Sequence, residues 1–213
     1  MVLYLPEMYL FIVFNLLLQL SSGFSRWLNL NKGGDASAVT STELVSLGHF
    51  ACGATNAHIS AMSSTVYSYA SSYIGKLTSC DEIQMTAFTN HAITAFGALS
   101  TWDDSVISTV GNMIGGLSDS ELSTLTESQI ATISPEAVSL IPASSFVGFT
   151  PDQLSGFSVA QAQSTTSAQH AGLSQAQLDA LISAGATVES SGGGKAELST
   201  TLALTLIIAI HIC

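Results

Sequence analysis

Between residues 117 and 181 a Ser, Thr or Pro recurs every eight positions, at Ser118, Thr126, Ser134, Pro142, Thr150, Ser158, Thr166 and Ser174. Apolar residues keep the same period. One stands four places after most openers (Leu122, Ile130, Val138, Phe146, Leu154, Leu178), and another closes most units (Leu125, Ile133, Ile141, Phe149, Phe157, Leu173, Leu181). That i, i+3 spacing sets both on one helical face, so each octapeptide predicts a helical turn or two with one side to bury. The third residue after most openers is Glu or Gln: Glu121, Gln129, Gln153, Gln161, Gln169 and Gln177. This is capping-box spacing, in which the hydroxyl accepts from the backbone N–H three residues on and the Glu or Gln reaches back. Pro135 and Pro151 follow their openers directly, at a first helical position where a missing N–H costs nothing. Pro142 opens a unit with no capping box, and Thr165 and His170 occupy apolar slots.

Isolated helices shorter than about 12 residues are marginal in water, so units of this size must stack. The expected fold is all-α, a superhelical solenoid of short capped helices, armadillo-like and of either hand. A disordered Ser/Thr/Ala-rich tract is the alternative, but such a tract has no reason to keep an apolar register.

The preceding stretch predicts longer helices. Ser41 opens one with Leu44, Leu47 and Phe50 three apart, and Thr55 opens another with Ile59, Met62 and Val66 on its face. Tyr67, Tyr69 and Tyr73 continue that helix or decorate its surface, and Gly75 stops it. Ser79 with Glu82 makes a capping box ahead of Ile83, Met85, Phe88, Ile93 and Phe96; Thr101 with Asp104 makes one ahead of Val106, Ile107, Val110 and Ile114. No segment alternates as a strand does. The division that follows is a longer-helix portion over residues 41–116 and the octad array over 117–183.

The two ends change the picture of composition. The chain has 213 residues, 47% hydrophobic and 9% charged, with a formal net charge of −11, but much of the hydrophobicity is terminal. Residues 8–20 form an apolar run followed by Ser21-Ser22-Gly23, the order of a signal peptide over residues 1–23, although no basic residue precedes the run; an uncleaved anchor is the alternative. Residues 24–40, with Gly33-Gly34 and no apolar period, read as a flexible leader. At the other end, residues 184–191 read as a linker. Ser190-Ser191-Gly192, a polar spacer and an apolar tail match a glycosylphosphatidylinositol (GPI) attachment signal, with the anchor expected on Ser191, Ser190 and Gly192 as rivals, and residues 192–213 removed. Cys213 would leave with that tail. Cys52 and Cys80 then remain, and in an oxidising compartment they can close a loop of about 27 residues worth about 3 kcal/mol; two free thiols are the alternative.

The segments Leu47-Gly48-His49-Phe50-Ala51-Cys52-Gly53, Ser134-Pro135-Glu136-Ala137-Val138, Phe149-Thr150-Pro151-Asp152-Gln153-Leu154 and Leu173-Ser174-Gln175-Ala176-Gln177-Leu178 resemble the C-terminal part of the mesothelin, stereocilin and otoancorin family. The resemblance implies a helical superhelix on an extracellular, GPI-anchored protein acting in cell adhesion or matrix attachment. It further implies a cell-surface or matrix glycoprotein, mucin-like, as partner. Family precursors are several-fold longer, and the mucin contact of mesothelin belongs to a more N-terminal part, so it carries over to no residue here. A membrane-proximal spacer without a ligand of its own is the alternative function.

Catalytic and cofactor signatures are missing from the sequence: no Gly-x-Ser-x-Gly, no P-loop, no dinucleotide turn and no His-Glu-x-x-His. The expectation is a protein that is not an enzyme and takes no cofactor. His49, Cys52 and His58 approach metal-ligand spacing but lack a fourth ligand, so no metal is expected. Asp81-Glu82 and Asp103-Asp104 fall in first helical turns, where carboxylates meet the helix dipole. Four Lys and Arg in total exclude nucleic acid and anionic lipid as electrostatic partners. No Asn-x-Ser/Thr occurs, which leaves O-linked sugars on the Ser/Thr-rich surface. Trp102, Tyr67, Tyr69 and Tyr73 are the candidate binding patch, with core packing as the competing role.

Overall fold

Eight successive helix starts fall where the eight-residue period sets them. In the computed structural model, which describes residues 5–187 and their side chains from Gln19 onward, the N-caps of α7 (Asp119–Leu122), α8 (Glu127–Thr132), α9 (Pro135–Leu140), α10 (Ala143–Phe146), α11 (Pro151–Ser155), α12 (Val159–Ser164), α13 (Ser167–Ala171) and α14 (Gln175–Ser183) are the eight openers. Both arms of the capping box close in all of these except α9 and α10. Ser134 caps α9 through its hydroxyl alone, and Pro142, having none, makes no side-chain cap. Leu122, Ile130, Val138, Phe146 and Leu154 are all buried, as are the residues that close the units.

The N3 glutamines do more than cap. Each turns its amide oxygen to its own N-cap and its Nε2 to the C-terminal carbonyls of the helix four units earlier. Gln161 Nε2 donates to the Ile130 and Ile133 carbonyls at 2.7 and 2.8 Å, and Gln169 Nε2 to those of Val138 and Ile141 at 2.8 Å each. Gln153 reaches Leu122, Ser123 and Leu125, Gln177 reaches Val147 and Phe149, and Gln129 reaches Leu99 and Trp102. Helices three units apart lie side by side: α7 with α10, α10 with α13, α9 with α12 and α11 with α14. A short helix leaves its last carbonyls without intrahelical donors. Here those carbonyls are served by the next layer of the array.

The earlier elements are α1 (Leu5–Lys32), a 3-10 turn (Ala36–Ala38), α2 (Ser41–Leu47), a 3-10 helix (Gly48–Gly53), α3 (Asn56–Ala61), α4 (Ser64–Ile74), α5 (Glu82–Phe96), a 3-10 turn (Leu99–Thr101), α6 (Asp104–Val110) and a second long 3-10 helix (Gly111–Gly116). No strand occurs among the described residues, so they are all-α. Residues 40–55 and 103–118 repeat one backbone at an offset of 63 residues: Thr40 and Asp103 are N-caps, Gly48 and Gly111 take φ 52° and 53°, and Thr55 and Ser118 cap the next helix. In each copy the second glycine lies against the backbone of a covering helix. A Cβ on Gly53 would collide with the Leu20 carbonyl of α1, and one on Gly116 with the Met85 carbonyl of α5.

Several expectations shift. The stretch 24–40 is not a flexible leader. Phe24, Leu28, Ala36 and Val39 belong to the core, α1 continues to Lys32, and Lys32 Nζ pairs with Glu43 at 2.9 Å. Apolar residues at 24 and 28, one turn apart, give that helix the buried side its polar composition had hidden. Helix α1 also runs unbroken across the expected cleavage point after Gly23. The cap of α5 is Asp81 with Gln84, not Ser79 with Glu82, because Ser79 bonds His49 and Cys80 is held in a disulfide. Thr101 closes a 3-10 turn, its hydroxyl on the Ala98 carbonyl at 2.7 Å, and hands the cap of α6 to Asp103. The expected linker starts later than residue 184, since Ala186 is buried and its N–H bonds the Leu181 carbonyl at 3.1 Å.

Candidate interaction surface

Helix α4 cannot present its three tyrosines together, because residues two apart on a helix point about 200° from one another. Tyr67, Ala70, Ser71 and Ile74 face inward; Tyr69 and Tyr73, one turn apart, face outward at 76% and 56% exposure. Tyr67 is therefore removed from the candidate patch. Its ring lies among Phe88, His91 and Phe96 with centroids 6.0 to 6.3 Å away. Its hydroxyl has no hydrogen-bond partner among the described residues, and burial pushes its ionisation far above the usual tyrosine range. Trp102 leaves the patch as well. It is buried at 3%, its indole N–H donates to the Gly97 carbonyl at 2.9 Å, and its own carbonyl receives Gln129. Both residues close the core instead of offering it to a partner.

The outward stripe of Tyr69 and Tyr73 is completed by Lys76, whose ammonium lies 5.9 Å from the Tyr73 ring centroid, within cation–π range. The loop that follows is fixed from two sides. The disulfide Cys52–Cys80 and the contact of Ser79 Oγ with His49 Nδ1 at 2.9 Å hold it to the 3-10 helix Gly48–Gly53. Asn112 holds it to the other one, its backbone N–H on the Gly75 carbonyl at 2.7 Å and its side-chain amide on the Leu77 carbonyl at 3.3 Å. Beside the stripe is a shallow cleft lined by Lys76, Ile107, Ser108, Thr132 and Glu136. Lys76 thus sits between the Tyr73 ring and a cleft that holds Glu136.

Charge is segregated along the chain. From residue 77 to 187 there are ten carboxylates (Asp81, Glu82, Asp103, Asp104, Asp119, Glu121, Glu127, Glu136, Asp152, Asp179) and no Lys or Arg. The Lys32–Glu43 pair is the one salt bridge among the described residues; the Lys32 ammonium and the Thr40 cap hold the Glu43 carboxyl down at about 2. Asp103 lies below the usual carboxylate range because the Val106 N–H donates to it. Thr165 and His170, the two polar residues in apolar slots, meet each other at 2.7 Å between Oγ1 and Nε2, and partial burial lowers the imidazole's basicity.

The scattered ionisable groups do not converge. His58 Nδ1 accepts from the Thr55 N–H and its ring packs, tilted, with its centroid 5.4 Å from that of Phe24; Asp81 is occupied by the Ile83 and Gln84 N–H groups. Among the described residues no three His, Cys, Asp or Glu are grouped to hold a metal ion, so His49, Cys52 and His58 remain apart in role. No described helix is long and apolar enough to cross a membrane. The anchor candidates Ser190, Ser191 and Gly192 lie outside the described residues.

The cross-layer glutamines went unread in the sequence. Their signal was present: the N3 position, where Glu would cap equally well, is Gln in five of the eight octads. Only Gln can accept from its own cap and donate elsewhere at once. Comparison with known proteins finds no matching family model, no matching curated protein and no matching solved structure.

Proposed function

We propose that the chain is a cell-surface binding protein of the mesothelin-like kind, anchored through GPI at Ser191 on the outer face of the plasma membrane and acting in adhesion to another cell or to matrix. In this reading α7–α14 wind as a solenoid, a form supported by contacts three units apart and hydrogen bonds four units apart. The observation that carries the reading is the Cys52–Cys80 disulfide, buried in a chain with no catalytic signature, since such bonds persist in exported proteins. The partner surface is the Tyr69, Tyr73 and Lys76 stripe with the acidic array beside it. Exposed tyrosines offer large amphipathic contact area at little entropy cost.

A second reading, a membrane-proximal spacer with no ligand of its own, draws support from the glutamine ladder, which ties each layer to the next and makes the array stiff. One experiment separates them. The full chain, tagged between the exposed Gly33 and Gly34 so that buried Phe24 is undisturbed, is expressed on cultured cells and treated with phospholipase C. Release into the medium is expected, and the released protein is expected to adhere to mucin- or matrix-coated surfaces, with adhesion falling severalfold in Tyr69→Ser/Tyr73→Ser. Release without adhesion to any such surface favours the spacer. Absence of the protein from the cell surface would sink both.

A further inference from the structure

Among the described residues beyond 83, the exposed large apolar side chains are Val159 and Ile182, at 58% and 49%. Both belong to the last helices of the array, α12 and α14. Gly185 joins them, its N–H on the Ile182 carbonyl at 2.9 Å and its Cα facing Val159 so closely that a Cβ there would lie 3.3 Å from the valine methyl. This is also where the chain departs. Ala186 is buried and Thr187 exposed, and Ser191 follows four residues later, a reach of at most about 14 Å. An anchor on Ser191 therefore turns this end of the array, and no other, towards the bilayer.

The chemistry of the face selects the kind of membrane. The carbonyls of Phe157, Thr165 and Leu173, which in earlier layers would each receive a glutamine amide, find no donor among the described residues. Asp179 stands one turn before Ile182, and no Lys or Arg lies on the array. Such a face is repelled by anionic headgroups. It suits a neutral surface whose outermost groups are quaternary ammonium cations, with carbonyl and carboxylate oxygens meeting the cations and Val159 and Ile182 entering between headgroups.

We infer that the α12–α14 end of the array rests on the neutral outer leaflet through Val159 and Ile182, so that the anchored protein stands on this face with the Tyr69 and Tyr73 stripe held away from the membrane. The inference rests on the anchored reading of Ser191. Its test is cysteine labelling of the full chain on cells, with a membrane-impermeant maleimide, before and after phospholipase C release. Ile182→Cys, and independently Val159→Cys, are expected to label severalfold more slowly on the anchored protein than on the released one, while Tyr69→Cys labels equally fast in both. Equal rates for Ile182→Cys and Val159→Cys in both states, on protein that phospholipase does release, would overturn the contact and leave the anchor standing. Failure of release would overturn the anchor itself, and the contact with it.

Discussion

Residues 40–55 and 103–118 have one backbone and almost no sequence in common: of the aligned positions only Gly48/Gly111 and Gly53/Gly116 are identical. What fixes the shape is therefore a cap, a glycine at positive φ and a second glycine with no room for a side chain. What differs is the fastening. The first copy is held to the loop at residues 75–81 by a disulfide and a His49–Ser79 contact, the second by Asn112 on the Gly75 and Leu77 carbonyls. The first copy also carries the Lys32–Glu43 pair, whereas Val106 stands in place of Glu43 in the second. A single loop gripped by both copies positions Tyr73 and Lys76, so the exposed stripe depends on both.

The covering helices give the comparison its largest test. Gly116→Ala drives a methyl into the Met85 backbone and is expected to cost about 3 kcal/mol, read as a lowered urea midpoint at unchanged slope. Gly53→Ala does the same against the Leu20 backbone, but only if residue 20 is still present. A mature protein cut after Gly23 would tolerate Gly53→Ala with a loss under about 1 kcal/mol, and an uncut one would lose about as much as Gly116→Ala. The N-terminal mass of the mature chain reports the same boundary independently. A Gly116→Ala chain that unfolds at the wild-type midpoint would mean that this glycine does not lie against the Met85 backbone.

The glutamine ladder makes a second, somewhat smaller contrast. Gln161→Ala leaves the Ile133 carbonyl and the Ser158 N–H without partners and the Ile130 carbonyl with the Ile133 N–H alone, an expected loss of about 2 kcal/mol. Gln161→Glu restores the cap but sets an acceptor-only group against two carbonyls, and should cost between about 2 and about 3 kcal/mol. Glu121→Gln should stay within about 0.5 kcal/mol, because 28 to 31 residues before Glu121 lies the interior of α5, whose carbonyls are already taken. Equal effects of a Gln–Glu exchange at positions 121 and 161, measured by urea unfolding, would remove the ladder as a determinant.

The octad helices were legible because their caps and apolar pairs are local: a hydroxyl, an amide three residues on and a buried face declare themselves within eight residues. All eight starts could be read that way, whereas the pairing of Cys52 with Cys80, 28 residues apart, was expected from a count of the cysteines that remain once Cys213 leaves. The ladder was not, since its partners are separated by 27 to 31 residues and an N3 glutamine already has a sufficient local role. Tyr67 and Trp102 were misplaced for a related reason. Aromatic residues suit both core and interface, and only the phase of α4 separates Tyr67 from Tyr69. Residues 24–32 were read as a leader because two buried apolar residues, Phe24 and Leu28, are too few to show a period.

The smallest expected effect again divides the two copies, through pH. Glu43 has its carboxyl depressed from 4.5 to about 2 by Lys32 and the Thr40 cap, so the stability it contributes is fully present above its unfolded value and is lost as pH falls through the folded one. Asp103 follows the same sign through its cap alone, with no ion pair behind it. Wild type and Glu43→Gln are therefore expected to differ in urea midpoint at neutral pH, to converge as the pH is lowered from about 4.5 to about 2, and to differ less at high salt because the pair is only partly buried. The Glu43→Gln chain should keep the acid response of the second copy through Asp103. A gap between the two proteins that persists unchanged below pH 2, or is indifferent to salt, would show that Glu43 acts through packing and not through its charge, and that the first copy is fastened there no differently from the second.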